Sequence, residues 1–160
     1  MRRFPAAIAF GAFAVACAAL PATPLPSQFA GLPEAKVEVL TESGTHRFRV
    51  WIAADDASRE QGLMDVRELP HDRGMLFLFE RPEQVGFWMK DTPLSLDLLF
   101  IATDGRITNI ARGTQPYSVA PIMSAGPVIG VLEVVAGTAD RLGIVAGNRV
   151  RHPAFGSGQQ

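Results

Sequence analysis

From about position 36 onward, apolar and polar residues alternate in short bursts with a period of two. Val37 and Val39, then Phe48, Val50 and Ile52, alternate with polar residues. This predicts a first hairpin turning around Glu42, Ser43 and Gly44, with one face wet. Asp55 and Asp56 stand where they can cap a short helix over residues 57–63, and Gly62 marks its end. Beyond it, the apolar or aromatic runs 75–79, 85–89, 94–101 and 107–111 read as strands. They are punctuated by Arg73-Gly74, Arg81-Pro82, Thr92-Pro93 and Asp104-Gly105. Asp104-Gly105 is the strongest hairpin signal, because both central positions of a two-residue turn need positive φ. Residues 128–136 form a further strand, followed by Gly137, a Thr138-capped turn of helix ending at Gly143, and a last strand over 148–151. Seven or eight short strands and two short helices predict a mainly β fold. A compact antiparallel β-sandwich or a partly open barrel fits, and a βαβ sheet does not.

The two ends read differently. Arg2 and Arg3 precede an uncharged and almost wholly apolar run over residues 4–20, closed by Pro21, so residues 1–22 read as a signal sequence. The run is interrupted too early for a permanent span. The chain is thus expected to be exported, to a periplasm or cell envelope. Cys17, in Ala14-Val15-Ala16-Cys17, occupies the place where a lipoprotein signal puts its lipidated residue. It is a lipidation candidate, and ordinary cleavage beyond it is the alternative. Residues 23–35 are a Pro-rich linker, 36–153 a single β domain, and 154–160 a flexible tail.

Composition narrows the partners. The 160 residues are 48% hydrophobic, enough for one core. With a formal charge of -1 there is no basic field for a phosphate backbone, so nucleic acid is not an expected partner. A membrane would be met only through a lipid on Cys17. With that cysteine in the leader, the folded domain has no thiol for a disulfide, a metal or a nucleophile.

Several strings carry a family resemblance. They are Gly62-Leu63-Met64, Gly74-Met75-Leu76-Phe77, Phe87-Trp88-Met89-Lys90-Asp91-Thr92-Pro93-Leu94, Leu96-Asp97 and Val131-Leu132-Glu133, with Arg67, Leu69, Phe79, Phe100, Gly105, Pro116, Gly137 and Gly147 between and after them. Over about residues 36–151 the chain resembles the domain-of-unknown-function 192 family, also called uncharacterised protein family 0127. The resemblance implies a small, mostly β, sandwich-type fold, common in exported bacterial proteins and found in archaea, with no established activity, substrate or cofactor. Ser95 departs from it, standing where members more often carry an apolar residue.

Charges set inside apolar strands need partners, because an unpaired buried charge costs several kcal/mol. Strand alternation puts Trp88, Lys90 and Thr92 on one face, and Asp97 with Ser95, Leu99 and Ile101 on another. Glu133 lies in the apolar run Val131-Leu132-Glu133-Val134-Val135, and Arg67 in the turn after the first helix. Some of Arg67, Lys90, Asp97 and Glu133 are therefore expected to pair, lining a pocket beside Trp88 or holding the strand register. Phe87, Trp88 and Met89 read as core, with a stacking platform as the alternative. His46, His71 and His152 lack metal-ligand spacing, and no metal or cofactor is expected. Nucleophile elbows and phosphate loops are absent from the sequence.

Three readings of function remain. The first is a non-enzymatic binding or accessory module with candidate ligand residues Arg67, Trp88, Lys90, Asp97 and Glu133, taking a small molecule, a glycan or an envelope protein. The second is a small enzyme using Asp97 or Glu133 as acid/base. The third is a structural or interaction module in which every such charge is buried and paired.

Overall fold

The computed structural model describes residues 27–156. The expected signal sequence, Cys17 and residues 23–26 of the linker lie outside them, as do residues 157–160. Nine strands and two short helices follow in order. They are β1 (Glu34–Thr41), β2 (Gly44–Ala53), α1 (Asp56–Gln61), β3 (Arg73–Glu83), β4 (Gly86–Phe87), β5 (Leu96–Ile101), β6 (Ile107–Ala111), β7 (Ile122–Met123), β8 (Val128–Val135), α2 (Thr138–Arg141) and β9 (Arg149–Arg151).

Seven strands form one sheet in the order β6-β5-β8-β3-β2-β1-β9, while β4 and β7 pair separately. The large sheet curls until its two edges touch. Arg106 bridges Arg149, the Ile107 amide donates to Asn148 O at 2.9 Å, and Val150 donates to Gly105 O at 2.7 Å. Of the two expected architectures the half-closed barrel is the one adopted. All ladder pairs are antiparallel except β2 with β3, which run parallel because α1 and the turns after it carry the chain across.

Period-two alternation now explains two cores. Facing the inside of the curl are Val37, Val39, Val50, Leu76, Leu99, Leu132 and Val134. Facing outward are Trp51, Met75, Phe77, Leu98, Phe100 and Val131, and they too are buried. The cover is supplied by α1, the turns after it, and the long connection from β4 to β5, whose residues Leu63, Val66 and Met89 pack down on the sheet. Nearly all of β5 is therefore apolar on both faces, as expected for a strand covered from both sides.

Several local expectations need correction. Asp55 caps α1 as expected, with a reciprocal capping box to Ser58, and Gly62 ends it. By contrast Thr138 does not cap α2; the N-cap is Gly137, with no side-chain bond. At Asp104-Gly105 only Gly105 has positive φ. Ala102 and Arg106 close a longer loop in which Gly105 takes the left-handed position. The expected strand over 85–89 shrinks to Gly86–Phe87.

The linker and tail also reach into the body. Phe29 is buried and packs on Trp51 with ring centroids 4.7 Å apart, so residues 27–33 are not a loose spacer. Arg73 lies over the same Trp51 ring at 5.2 Å. Its Nη1 sits 2.9 Å from Glu34 Oε1, without the alignment of a hydrogen bond. Phe155, assigned above to a frayed tail, is buried in the inner core.

Candidate functional site

Glu133 lies in β8 between Val131 and Val135 on the outer face, paired across the ladders with Met75 of β3 and Leu98 of β5. Its neighbours in the sheet are therefore apolar. It is 4% exposed, and its carboxyl forms no hydrogen bond or ion pair among the described residues. Burial alone pushes its pKa up to about 8, so the group is protonated at neutral pH.

Above Glu133 the cover layer leaves a cavity of about 430 Å³. One wall is α1 with the turn Gly62, Leu63 and Met64, and the other is the segment 84–88; Phe77 and Glu133 of the sheet form the floor. Gly62 turns the first wall at a φ of 47°, and a Cβ there would make only ordinary contact with the Phe77 ring at 3.4 Å, so it is the backbone turn that favours glycine. The second wall is held by Ser124, whose hydroxyl accepts from the Val85 amide at 3.0 Å and donates to Gly126 O. Phe87 stands edge-on to Phe77 at 4.9 Å and to Phe100 at 6.1 Å.

The two walls are tied where Asp65 donates its amide to Asp91 O at 2.8 Å. Both residues have positive φ, at 63° and 52°. Aspartate tolerates that conformation better than most side chains, yet two such residues sharing one bond mark a constrained rim.

The residues singled out by sequence separate. Trp88 is 51% exposed at the cavity edge, not core, and Lys90 lies over its ring at 5.6 Å. Thr92 departs from the expected alternation: it is buried and lines the cavity. Asp97 points to the opposite face of the sheet from Glu133. There it accepts from the Gly113 amide at 2.9 Å and the Ala139 amide at 2.8 Å, tying a loop and the start of α2. Arg67 is exposed. None of the expected pairs among Arg67, Lys90, Asp97 and Glu133 forms among the described residues, because the sheet itself separates the two carboxylates and both cations stay in water.

The histidines scatter. His46 bonds Thr41 and Ser43 in the first hairpin, His71 is exposed, and His152 packs on Phe155. Sequence reasoning missed Phe77, Phe79 and Gln84 as cavity residues. Nothing local marks them, since the bulge that turns the end of β3 away from β8 becomes visible only in the register.

Fold and site together define a β half-barrel with a carboxyl-floored cavity under its outer cover. The chain belongs to the domain-of-unknown-function 192 family, DUF192, described as uncharacterized ACR, whose profile matches residues 38–152. Among solved structures it is similar to a candidate transcription regulator of Sinorhizobium meliloti 1021, with 45% identity and a TM-score of 0.75; 78% of this chain and 97% of that one are covered. It is also similar to a protein of unknown function from Novosphingobium aromaticivorans DSM 12444, with 40% identity and a TM-score of 0.76, covering 89% and 99%. No curated protein matches the chain.

Proposed function

We propose that this chain is an exported binding module whose cavity beneath α1 and the 84–88 segment takes a small organic molecule. The observation that carries the reading is Glu133, a buried carboxyl without a partner among the described residues, facing an open cavity of about 430 Å³. A buried polar group is ordinarily satisfied within the protein, so one left open toward a cavity is a reason to look for an outside partner. The aromatic wall of Phe77, Phe87 and Trp88 suits a flat or apolar body. Export is supported by the charge and hydropathy pattern of residues 1–22.

The reading is tested by titrating the isotope-labelled chain with a set of small aromatic and aliphatic fragments. Saturable amide shifts should cluster at residues 62–64, 84–88 and 133. They should weaken about tenfold in Trp88→Ala, a loss near 1.4 kcal/mol, and stay unchanged in Arg67→Ala. Shifts scattered over the surface, or centred on Arg67 and Asp97, would reject the site.

Acid/base catalysis is a second reading, favoured by one observation: a carboxyl with a pKa of about 8 is poised near neutral pH. It narrows to Glu133, since each Asp97 oxygen already accepts a backbone amide.

A further inference from the structure

The charges around the cavity are out of balance. Glu60, Glu83 and Glu133 line it against one cation, Arg59. That guanidinium is already committed. Its Nη1 donates to Ala54 O at 2.6 Å and Leu78 O at 2.8 Å, and its Nη2 to Asp56 Oδ1 at 2.6 Å. Glu60 and Glu83 are exposed and have no salt-bridge partner among the described residues.

The protein's own cations stop at the edge. Arg59 lies over the Phe79 ring at 5.7 Å and Lys90 over Trp88 at 5.6 Å, and neither pairs with Glu133. The aromatic faces thus already attract positive charge, while the carboxyl beneath them receives none. A ring face with a desolvated carboxyl nearby is the chemistry that recognises ammonium and guanidinium groups.

We propose that the ligand is a small organic cation, whose ammonium or guanidinium nitrogen pairs with the Glu133 carboxyl while its apolar body lies against Phe77, Phe87 and Trp88. This rests on the cavity being a ligand site and adds the ligand's class. Binding has a proton balance. Glu133 is protonated when free, so pairing with a cation sends its proton to solvent and leaves a carboxylate beside a nitrogen that keeps its charge. Met75 and Leu98 flank it across the ladders, and the charged and polar groups that share its cavity include Arg59 and Glu60 from α1, Glu83 from β3 and Thr92 from the cover. None of them is a free cation that already does this.

The experiment is calorimetric titration of the full chain at pH 7, in two buffers of unlike ionisation enthalpy, with benzylammonium, benzyl alcohol and benzoate. Benzylammonium should bind about tenfold or more tightly than the other two and release close to one proton per molecule bound. Glu133→Gln should lose that preference and the proton release while still taking benzyl alcohol. Proton release by the natural chain is an independent readout should the variant not fold. Equal or tighter binding of benzyl alcohol or benzoate, or benzylammonium binding without proton release, overturns the cation class and leaves the binding site standing. If the folded chain takes up none of the three, the site falls as well.

Discussion

Glu133 concentrates the physics of the molecule in one side chain. An unfolded chain ionises it near its ordinary value of 4.5, whereas the folded chain keeps it protonated up to about 8. Between those values the native state holds a proton that the unfolded state has released, so stability falls as pH rises. Its contribution is fully present below about pH 4.5 and is lost by the time the pH has passed 8. Across that window the slope should be about 1.4 kcal/mol per pH unit from this group. Denaturant midpoints at pH 5, 6, 7 and 8 should decline in the natural protein and flatten in Glu133→Gln; parallel declines would show that the carboxyl is already ionised in the fold. The residue itself was legible, since a carboxylate inside Val131-Leu132-Glu133-Val134-Val135 is conspicuous. Its isolation was not. Strand alternation says which residues share a face, but not what lies above that face, and pairing with Arg67 or Lys90 needed both cations to leave water for a site they do not reach.

Asp97 shows the same limit at the scale of an element. Alternation placed it correctly with Leu99 and Ile101, opposite Leu96 and Leu98. The cost of burying an unpaired charge suggested a partner of opposite sign, yet the partners are two backbone amides, Gly113 and Ala139, distant in sequence. Through Ala139 the carboxylate serves the first turn of α2, a place left uncapped by Gly137, while the Thr138 hydroxyl is buried without a partner among the described residues. The local rule that threonine caps a helix start was overridden by a carboxylate delivered from β5. Asp97→Ala would orphan both amides, and hydrogen bonds to a charged acceptor contribute about 1.5–3 kcal/mol each. A loss of about 3 kcal/mol or more in urea unfolding is expected, with fragment binding at the cavity unchanged because it lies on the other face. A loss below about 1 kcal/mol would mean that water replaces the carboxylate freely.

At the scale of the whole chain, the longer strands and their order could be read from short apolar runs and turn residues, but the two-residue β7 and the closure of the sheet could not. Sequence periodicity carries no information on which edges meet. It also hid the parallel step from β2 to β3, and it left Phe29 and Phe155 in segments that proline and glycine marked as loose. The seam between the start of β6 and β9 depends on Gly105. That residue has φ of 82°, and a Cβ on it would lie 2.5 Å from Val150 O, across the bond that Val150 donates to Gly105. Gly113 has a comparable φ of 55° with nothing within 4 Å of a Cβ, so the pair separates backbone strain from collision. Gly113→Ala should cost about 1 kcal/mol, the penalty of a left-handed alanine. Gly105→Ala should cost about 3 kcal/mol or more, because a backbone oxygen has to move and the seam opens with it. Hydrogen exchange should then lose protection first at Ile107, Gly147 and Val150, with β3 and β8 still protected. Equal costs for the two alanines, or protection lost evenly over the sheet, would mean that the touching edges add nothing to the seven-stranded curl.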